Sequence, residues 1–183
     1  LRNAHTVRKY VSRGGGKLDG ALDDLHVDVR DLQCMDVGAS TGGFTDCLLS
    51  RGAREVIAVD VGYGLLADTL RRDERVHVLE RTNARHLTPA LLPWPPALLV
   101  VDASFISLRA LLPAMTAVAT KDARIVAMVK PQFELPRSEV PDGGVVLDEA
   151  ARLRATADVV AEAEKLGWKS VGEVDSRVAG PSG

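Results

Sequence analysis

The chain has 183 residues, of which 46% are apolar, and a formal net charge of -2 at pH 7. This length predicts a single domain with one substantial core. The charge balance argues against a protein that binds polyanions over its whole surface, although a local basic patch can still bind nucleic acid. No apolar run reaches the roughly 18 residues that a membrane span requires.

The two cysteines and the start of the chain bear on the cellular compartment. Cys34 falls in a predicted strand and Cys47 in a predicted helix, without the spacing of metal ligands. We therefore expect both to be core residues in a reducing compartment. No secretory signal pattern opens the chain, so we expect a cytoplasmic protein. The first residue is leucine, and we expect the sequence to be a fragment of a longer protein.

The first 20 residues form a basic stretch with one acidic residue, Asp19. Residues 1–16 end in three glycines, and Leu18, Leu22 and Leu25 then recur at helical spacing. We predict an irregular basic segment over residues 1–16 and a helix that begins near Lys17. From charge alone, a solvated tail is an equally good interpretation. The basic residues are Arg2, Arg8, Lys9, Arg13 and Lys17.

Further along, apolar runs alternate with helical patterns. The runs are rich in Val, Ile and Leu and nearly continuous, which is typical of parallel strands covered on both faces. We therefore predict a doubly wound, Rossmann-like α/β fold. The predicted strands are 32–37, 56–60, 76–79, 98–102, 125–130 and 168–174, and the predicted helices are 44–51, 64–71, 107–119 and 148–166. Residues 131–144 are predicted to be irregular, as long loops that bind or move often are.

The first strand leads through Asp36 into a glycine-rich loop with the pattern Asp-x-Gly-x-x-x-Gly-Gly, and a helix follows. Such a loop directs backbone N–H groups and the positive end of the helix dipole at a ligand, and its glycines allow close approach. The pattern differs from the dinucleotide-binding form because Ser40 is not a glycine. The carboxylate of Asp36 suits a cationic ligand. A glycine-rich helix entry that binds nothing is the alternative.

The second strand closes with Asp60, about twenty residues further on, where an acidic side chain binds ribose hydroxyls. Together, the loop and Asp60 predict S-adenosyl-L-methionine as the cofactor. Ligands of such sheets bind beyond the carboxyl ends of the strands, so the joint placement of polar residues at several strand ends favours a site. The predicted cofactor-binding residues are Asp36, Gly38, Ser40, Thr41, Gly42, Gly43, Asp60, Asn83 and Asp102.

The chain also carries six motifs long enough to be specific, at residues 12–18, 36–45, 80–85, 104–108, 129–134 and 180–183. Together they resemble the TlyA (hemolysin A) family of FtsJ-like ribosomal RNA 2′-O-methyltransferases. The resemblance implies a methyltransferase fold and methylation of a cytidine ribose in 16S or 23S ribosomal RNA. It also implies ribosomal RNA or ribosomal subunits as partners, and neither a metal nor a membrane.

FtsJ-like enzymes carry a Lys-Asp-Lys-Glu tetrad, and the resemblance implies that Lys17, Asp102 and Lys130 are its first three members. In the family the glutamate follows the Gly-Pro-Ser-Gly turn at which this sequence stops. The resemblance therefore implies that the last strand is missing, that the strand over 168–174 lacks a neighbour, and that the fragment is poorly active.

The family also has an upstream RNA-binding domain. The resemblance implies that residues 1–16 are a basic linker from that domain and that residues 17–183 form the methyltransferase domain. In this interpretation the substrate contacts are Arg8, Lys9 and Arg13, which bind RNA phosphates.

A ribose 2′-hydroxyl is a weak nucleophile, so the protein must orient it towards the methyl donor and help to remove its proton. We expect Lys130 to be the base, because burial and the nearby Lys17 both disfavour its protonated form. Asp102 would orient Lys130. The alternatives are a nicotinamide oxidoreductase, which shares the fold, a nonenzymatic RNA-binding protein, and a membrane-active hemolysin. The chain lacks the apolar span or basic amphipathic helix that the last would need.

Overall fold

The computed structural model describes residues 9–180. Five strands in this part form a fully parallel sheet in the order β3-β2-β1-β4-β5. The doubly wound, Rossmann-like fold predicted from the sequence is confirmed. The strand order reverses between β1 and β4, and a crevice opens there at the carboxyl ends of the strands. The strands are β1 (Gln33–Val37), β2 (Glu55–Val59), β3 (Val76–Leu79), β4 (Leu98–Val101) and β5 (Arg124–Ala127).

The strands are apolar on both faces because helices cover the sheet on both sides. On one face, Cys34, Val56 and Val100 pack beneath α1 (Arg13–Asp24), α2 (Gly43–Ser50) and α3 (Asp68–Arg71). On the other face, Met35 and Leu99 pack beneath α4 (Leu108–Val118) and α6 (Glu149–Lys165). A single helical turn, α5 (Pro131–Glu134), follows β5. Alternate residues of each strand thus supply two separate cores.

The N-terminal segment differs from the prediction, because α1 begins at Arg13 and not near Lys17. The predicted boundary between linker and domain therefore falls inside a helix. The glycines at the start of α1 allow close packing: a Cβ on Gly15 would collide with the buried ring of Tyr10. This packing offsets part of the cost of glycine in a helix, about 1 kcal/mol per residue. Residues 1–8 lie outside the described part, and the division into linker and domain stays a prediction.

The predicted strand over 168–174 is wrong. These residues form no strand, and Val171 is 91% exposed. A strand needs a neighbour for its backbone groups, and the segment makes no such ladder with the described strands. The chain returns to α1 instead, where Arg177 pairs with Asp24 and the guanidinium of Arg13 donates to the carbonyl of Ala179 at 2.7 Å.

Two further elements are shorter or more regular than predicted. The helix predicted over 64–71 is only the four residues of α3, because the preceding loop turns through Gly64 at a φ of +70°. The segment predicted to be irregular contains α5 and a 3₁₀ turn, Arg137–Glu139. Neither difference changes the order of the sheet.

Both cysteines lie in the core, as predicted, with Cys34 in β1 and Cys47 in α2. Burial raises the pKa of each thiol to about 12, so both stay protonated and unreactive at neutral pH. Among the helices of the described part, none combines the length and apolar character that crossing a membrane requires.

Candidate active site

An open cleft of about 410 Å³ lies where the strand order reverses, between the loop after β1 and the start of α1. This volume falls within the range of small-molecule sites. It is called the cleft below. Its walls come from Ser12, Arg13, Gly14, Lys17, Gly38, Ala39, Ser40, Thr41, Gly43, Phe44, Asp102, Ser104 and Lys130.

The glycine-rich loop, residues 38–43, forms one wall of the cleft. Gly38 has a φ of +84°, and a Cβ there would lie 2.7 Å from the backbone oxygen of Asp102. A Cβ on Gly43 would lie 2.8 Å from the backbone nitrogen of Gly15. Side chains are therefore excluded at both points, and the loop packs closely against the backbone of Asp102 and the start of α1. Gly43 and Phe44, the first residues of α2, line the cleft, where a helix N-terminus favours an anionic group.

Asp36 lies beneath this loop and is fully buried. Its Oδ2 accepts hydrogen bonds from the backbone nitrogen of Thr45 at 3.0 Å and from its hydroxyl at 2.7 Å. Its Oδ1 has no hydrogen-bond partner among residues 9–180. Burial, opposed by the bonds from Thr45, raises the pKa of Asp36 to about 7. Because Asp36 does not line the cleft, its direct contact with a cofactor stays a prediction, while its bonds to Thr45 hold the first turn of α2.

The three residues predicted to be catalytic come together in the cleft. Lys130 Nζ lies 2.6 Å from Asp102 Oδ1 and donates a hydrogen bond to the hydroxyl of Ser104 at 2.9 Å. The side chains of Lys130 and Asp102 are only 18% and 22% exposed. Lys17 lines the same cleft, and its Nζ lies 4.0 Å from the sulfur of Met128. One carboxylate and two lysines thus share a partly desolvated space.

The parallel sheet places Asp102 and Lys130 side by side. The backbone nitrogen of Asp102 donates to Val37 at 3.1 Å, and that of Met128 donates to Val101 at 2.9 Å, so the ladder continues to both strand ends. Pro131 keeps the preceding residue out of the helical region, and Lys130 is extended with φ -114° and ψ 101°. Its side chain starts from a backbone that the sheet and the proline both restrain.

Asp60 lies on the other side of the loop. Its Oδ2 accepts from the backbone nitrogen of Ser40 at 2.8 Å, and its Oδ1 accepts from that of Gly62 at 2.7 Å. It lines a small crevice of about 10 Å³, together with Ser40, Leu65 and Glu80. Asp60 therefore ties the loop after β2 to the glycine-rich loop, and its contact with a ribose stays a prediction.

Two other predicted cofactor residues line neither space. The side-chain oxygen of Asn83 accepts from the backbone nitrogen of Arg85 at 3.0 Å and caps a 3₁₀ turn, Ala84–His86. Gly42 precedes α2 with a φ of +100°, and a Cβ there would collide with Leu66 and Leu70. Their positions support the loops around the site, and a direct contact with the cofactor stays a prediction for both.

The residues predicted to contact RNA differ from one another in their distance from the cleft. Arg13 lines the cleft. The side chain of Lys9 is 69% exposed and forms an ion pair with Asp19 at 2.8 Å. Arg8 lies outside the described residues. The basic stretch therefore reaches the mouth of the cleft through Arg13.

Five residues of the cleft were not predicted as site residues: Ser12, Gly14, Ala39, Phe44 and Ser104. Ser104 is within hydrogen-bond distance of Lys130, two residues beyond Asp102. A serine after a strand is an ordinary loop residue, so only its distance from a predicted catalytic residue could have indicated it. Ser12 and Gly14 were not predicted because residues 1–16 were expected to be irregular, whereas α1 begins at Arg13.

Comparison with known proteins agrees with this geometry. A family model described as FtsJ-like methyltransferase matches residues 10–183. The chain is 53% identical over 176 residues to 16S/23S rRNA (cytidine-2′-O)-methyltransferase TlyA of Mycobacterium tuberculosis, covering 96% of this chain and 66% of that protein. It is 38% identical over 176 residues to Hemolysin A of Brachyspira hyodysenteriae, covering 96% of this chain and 73% of that protein.

A solved structure shows the same fold. It is the proposed hemolysin of Streptococcus thermophilus, with a TM-score of 0.91 and 40% identity. The match covers 94% of this chain and 62% of the other. The chain thus spans about two thirds of the length of the TlyA protein and of this structure.

Proposed function

Because the chain belongs to the FtsJ-like methyltransferase family, we propose that it transfers a methyl group from S-adenosylmethionine to the 2′-hydroxyl of a cytidine ribose in 16S or 23S ribosomal RNA. The observation that carries the proposal is the meeting of Lys17, Asp102 and Lys130 in the cleft beside the glycine-rich loop. The name of the Mycobacterium tuberculosis relative supports the substrate. Ribosomal RNA as substrate agrees with the cytoplasmic location expected from the sequence.

The cleft fits S-adenosylmethionine. Gly38 lets the glycine-rich loop lie against the backbone of Asp102, at the edge of the cleft, and the start of α2, which lines the cleft, suits a carboxylate. Asp102 can balance positive charge, and Ser40 and Thr41 add polar groups. The cofactor supplies a methyl group that its sulfonium has already activated. The protein therefore has to place the ribose hydroxyl and manage its proton.

In this proposal Lys130 would accept the proton of the 2′-hydroxyl as the oxygen bonds to the methyl carbon and the bond between that carbon and the sulfonium sulfur breaks, leaving its electron pair on the sulfur. For this step Lys130 must be the uncharged amine, with its own proton already released to solvent. Asp102 holds Nζ of Lys130 at 2.6 Å and Ser104 holds it at 2.9 Å. These contacts fix the direction in which Nζ of Lys130 faces the hydroxyl. A fixed orientation of the reacting groups lowers the barrier.

A calorimetric titration of S-adenosylmethionine tests the cofactor. We expect the wild-type chain to bind it and Gly38→Val to bind at least about tenfold more weakly, because a side chain at a positive φ adds strain of roughly 1–2 kcal/mol and collides with Asp102. Gly167→Val is the matched control, since Gly167 has a φ of +91° and nothing within 4 Å. It should bind like the wild type. Unchanged affinity in a folded Gly38→Val, or no binding by the folded wild type, would contradict the proposal.

RNA binding is expected to depend steeply on salt. The logarithm of the affinity for a ribosomal RNA fragment should fall linearly with the logarithm of the salt concentration. The reason is that lysine and arginine side chains that bind phosphates release the counterions condensed on the RNA. Lys9→Ala should reduce that slope by about 1. Lys165→Ala, which removes an exposed lysine on α6, is the control and should leave the slope unchanged. A flat response in the wild type would count against phosphate contacts by the basic stretch.

A further inference from the structure

Glu134 is a buried carboxylate outside the cleft. Its side chain is 1% exposed, although an isolated carboxylate is costly to bury. It ends α5, one helical turn after Lys130, and it contacts the start of α4, which follows the loop that carries Asp102. Glu134 therefore lies between the chain segments that supply the two halves of the catalytic ion pair.

The contacts of Glu134 all reach the first turn of α4. Its Oε1 accepts from the backbone nitrogen of Leu108 at 2.7 Å, and its Oε2 accepts from the hydroxyl of Ser107. Arg109 Nε lies 3.5 Å from Oε2, and the guanidinium of Arg109 donates to the backbone oxygen of Glu134 at 2.8 Å. A carboxylate at a helix N-terminus is favoured by the exposed N–H groups and the dipole. The two segments are thus joined by several charge-assisted bonds.

Backbone hydrogen bonds hold the turn between Lys130 and Glu134. Within it, the backbone nitrogen of Phe133 donates to Lys130 and that of Leu135 donates to Pro131, each at 2.9 Å. The rings of Phe105 and Phe133 lie 5.2 Å apart, so the two segments also meet midway. The segment after β4 and the segment after β5 are thus joined at the ion pair of Lys130 and Asp102, at the two rings and at Glu134. One hydrogen-bonded helical turn therefore connects Glu134 to Lys130.

We propose that Glu134 is a positioning residue, which holds Lys130 against Asp102 by tying α5 to the start of α4. The catalytic meaning of this role rests on the proposed function, because that function makes Lys130 the group that receives the hydroxyl proton. A carboxylate that merely capped α4 would stabilise the fold and leave the ion pair of Lys130 and Asp102 unchanged. The two roles therefore differ in what happens to Lys130 when Glu134 is replaced.

Nuclear magnetic resonance of lysine labelled with ¹³C at Cε tests this in the free protein. The chain has six lysines, so the spectrum is simple, and Lys130→Arg identifies the signal of Lys130. Asp102→Asn marks the position of that signal when the ion pair is lost. We expect Glu134→Ala to move the Lys130 signal towards this position and Glu134→Gln to move it part of the way. The signals of the other lysines should stay in place.

Leu135→Ala is the matched control, because Leu135 is the buried neighbour of Glu134 but packs in a separate small core. It should lower the melting temperature without moving the Lys130 signal. Ser107→Ala removes one partner of Glu134 from the other side and serves if Glu134→Ala does not fold. A Lys130 signal that stays at its wild-type position in folded variants of Glu134 and Ser107 would overturn the inference.

Kinetics give a second readout. At saturating cofactor, Glu134→Ala should lower the rate of methyl transfer about 100-fold, the effect of a small misplacement of a catalytic group. The affinity for S-adenosylmethionine should stay the same. In an Asp102→Asn background, Glu134→Ala should cause no further loss, because both changes remove the same interaction. Additive losses would overturn the inference. If the wild type transfers no methyl group, the proposed function fails, and the lysine signal alone supports or overturns the role of Glu134.

Discussion

Replacing Lys130 by alanine is expected to lower methyl transfer by about 10²–10⁴-fold, the usual contribution of a positioned general base. Cofactor affinity should change little, because Lys130 contacts Asp102 and Ser104 and not the glycine-rich loop. The measurement is single-turnover transfer of a radiolabelled methyl group to ribosomal RNA with protein in excess. Calorimetry with S-adenosylmethionine on the same preparations separates chemistry from binding.

Two variants sharpen this experiment. Lys130→Arg keeps the positive charge but cannot accept a proton, so it should be as inactive as Lys130→Ala. Lys165→Ala removes an exposed lysine and should transfer at the wild-type rate. Loss of both cofactor binding and transfer in Lys130→Ala would make the residue structural. Full activity of Lys130→Arg would show that charge, and not proton transfer, is what Lys130 contributes.

The unfolding free energy of the wild type is expected to fall as the pH rises, and replacing Asp36 by asparagine is expected to abolish this fall. Burial raises the pKa of Asp36 from 3.8 to about 7, so the folded state binds its proton more tightly than the unfolded state does. The resulting stability is fully present below about pH 4 and is lost as the pH rises through 7. This difference corresponds to about 4 kcal/mol of unfolding free energy.

Urea unfolding of the free protein at several pH values between 4 and 8 measures this effect. The unfolding free energy of the wild type, relative to Asp36→Asn, should fall over that range. Asp28→Asn is the control, because Arg30 lowers the pKa of Asp28 to about 2, so the unfolding free energies of the wild type and of Asp28→Asn should run parallel between pH 4 and 8. The stability that Asp28 contributes is present above about pH 4 and is lost only as the pH falls towards 2. Parallel curves for the wild type and Asp36→Asn would show that Asp36 is ionised in the folded protein.

Asp36 also shows a limit of prediction from the sequence. Asp36 was correctly placed in the first strand and beside the glycine-rich loop, yet its side chain points into the protein, where Thr45 binds it. In a strand, neighbouring side chains alternate between faces, and an offset of one residue moves a carboxylate from the cleft to the core. Sequence position therefore located the residue without locating its side chain.

The segments around the sheet show a second limit. The glycines before Lys17 predicted an irregular chain, but packing of Tyr10 against Gly15 favours a helix there. Residues 168–174 have the composition of a strand, but a strand depends on a partner supplied by another part of the fold. In both segments contacts between residues far apart in the sequence overrode local preference.

The sequence by itself determined the parallel sheet, five of its six predicted strands to within three residues, and the meeting of Asp102 and Lys130 at one edge. These follow from local patterns, because continuous apolar runs make buried strands and parallel strands bring their carboxyl ends together. Only the tertiary structure decided that Asp36 is buried, that Ser104 joins the ion pair and that Glu134 ties the two catalytic segments together. Such contacts depend on the packing of α4 and α5, and no spacing along the chain encodes them.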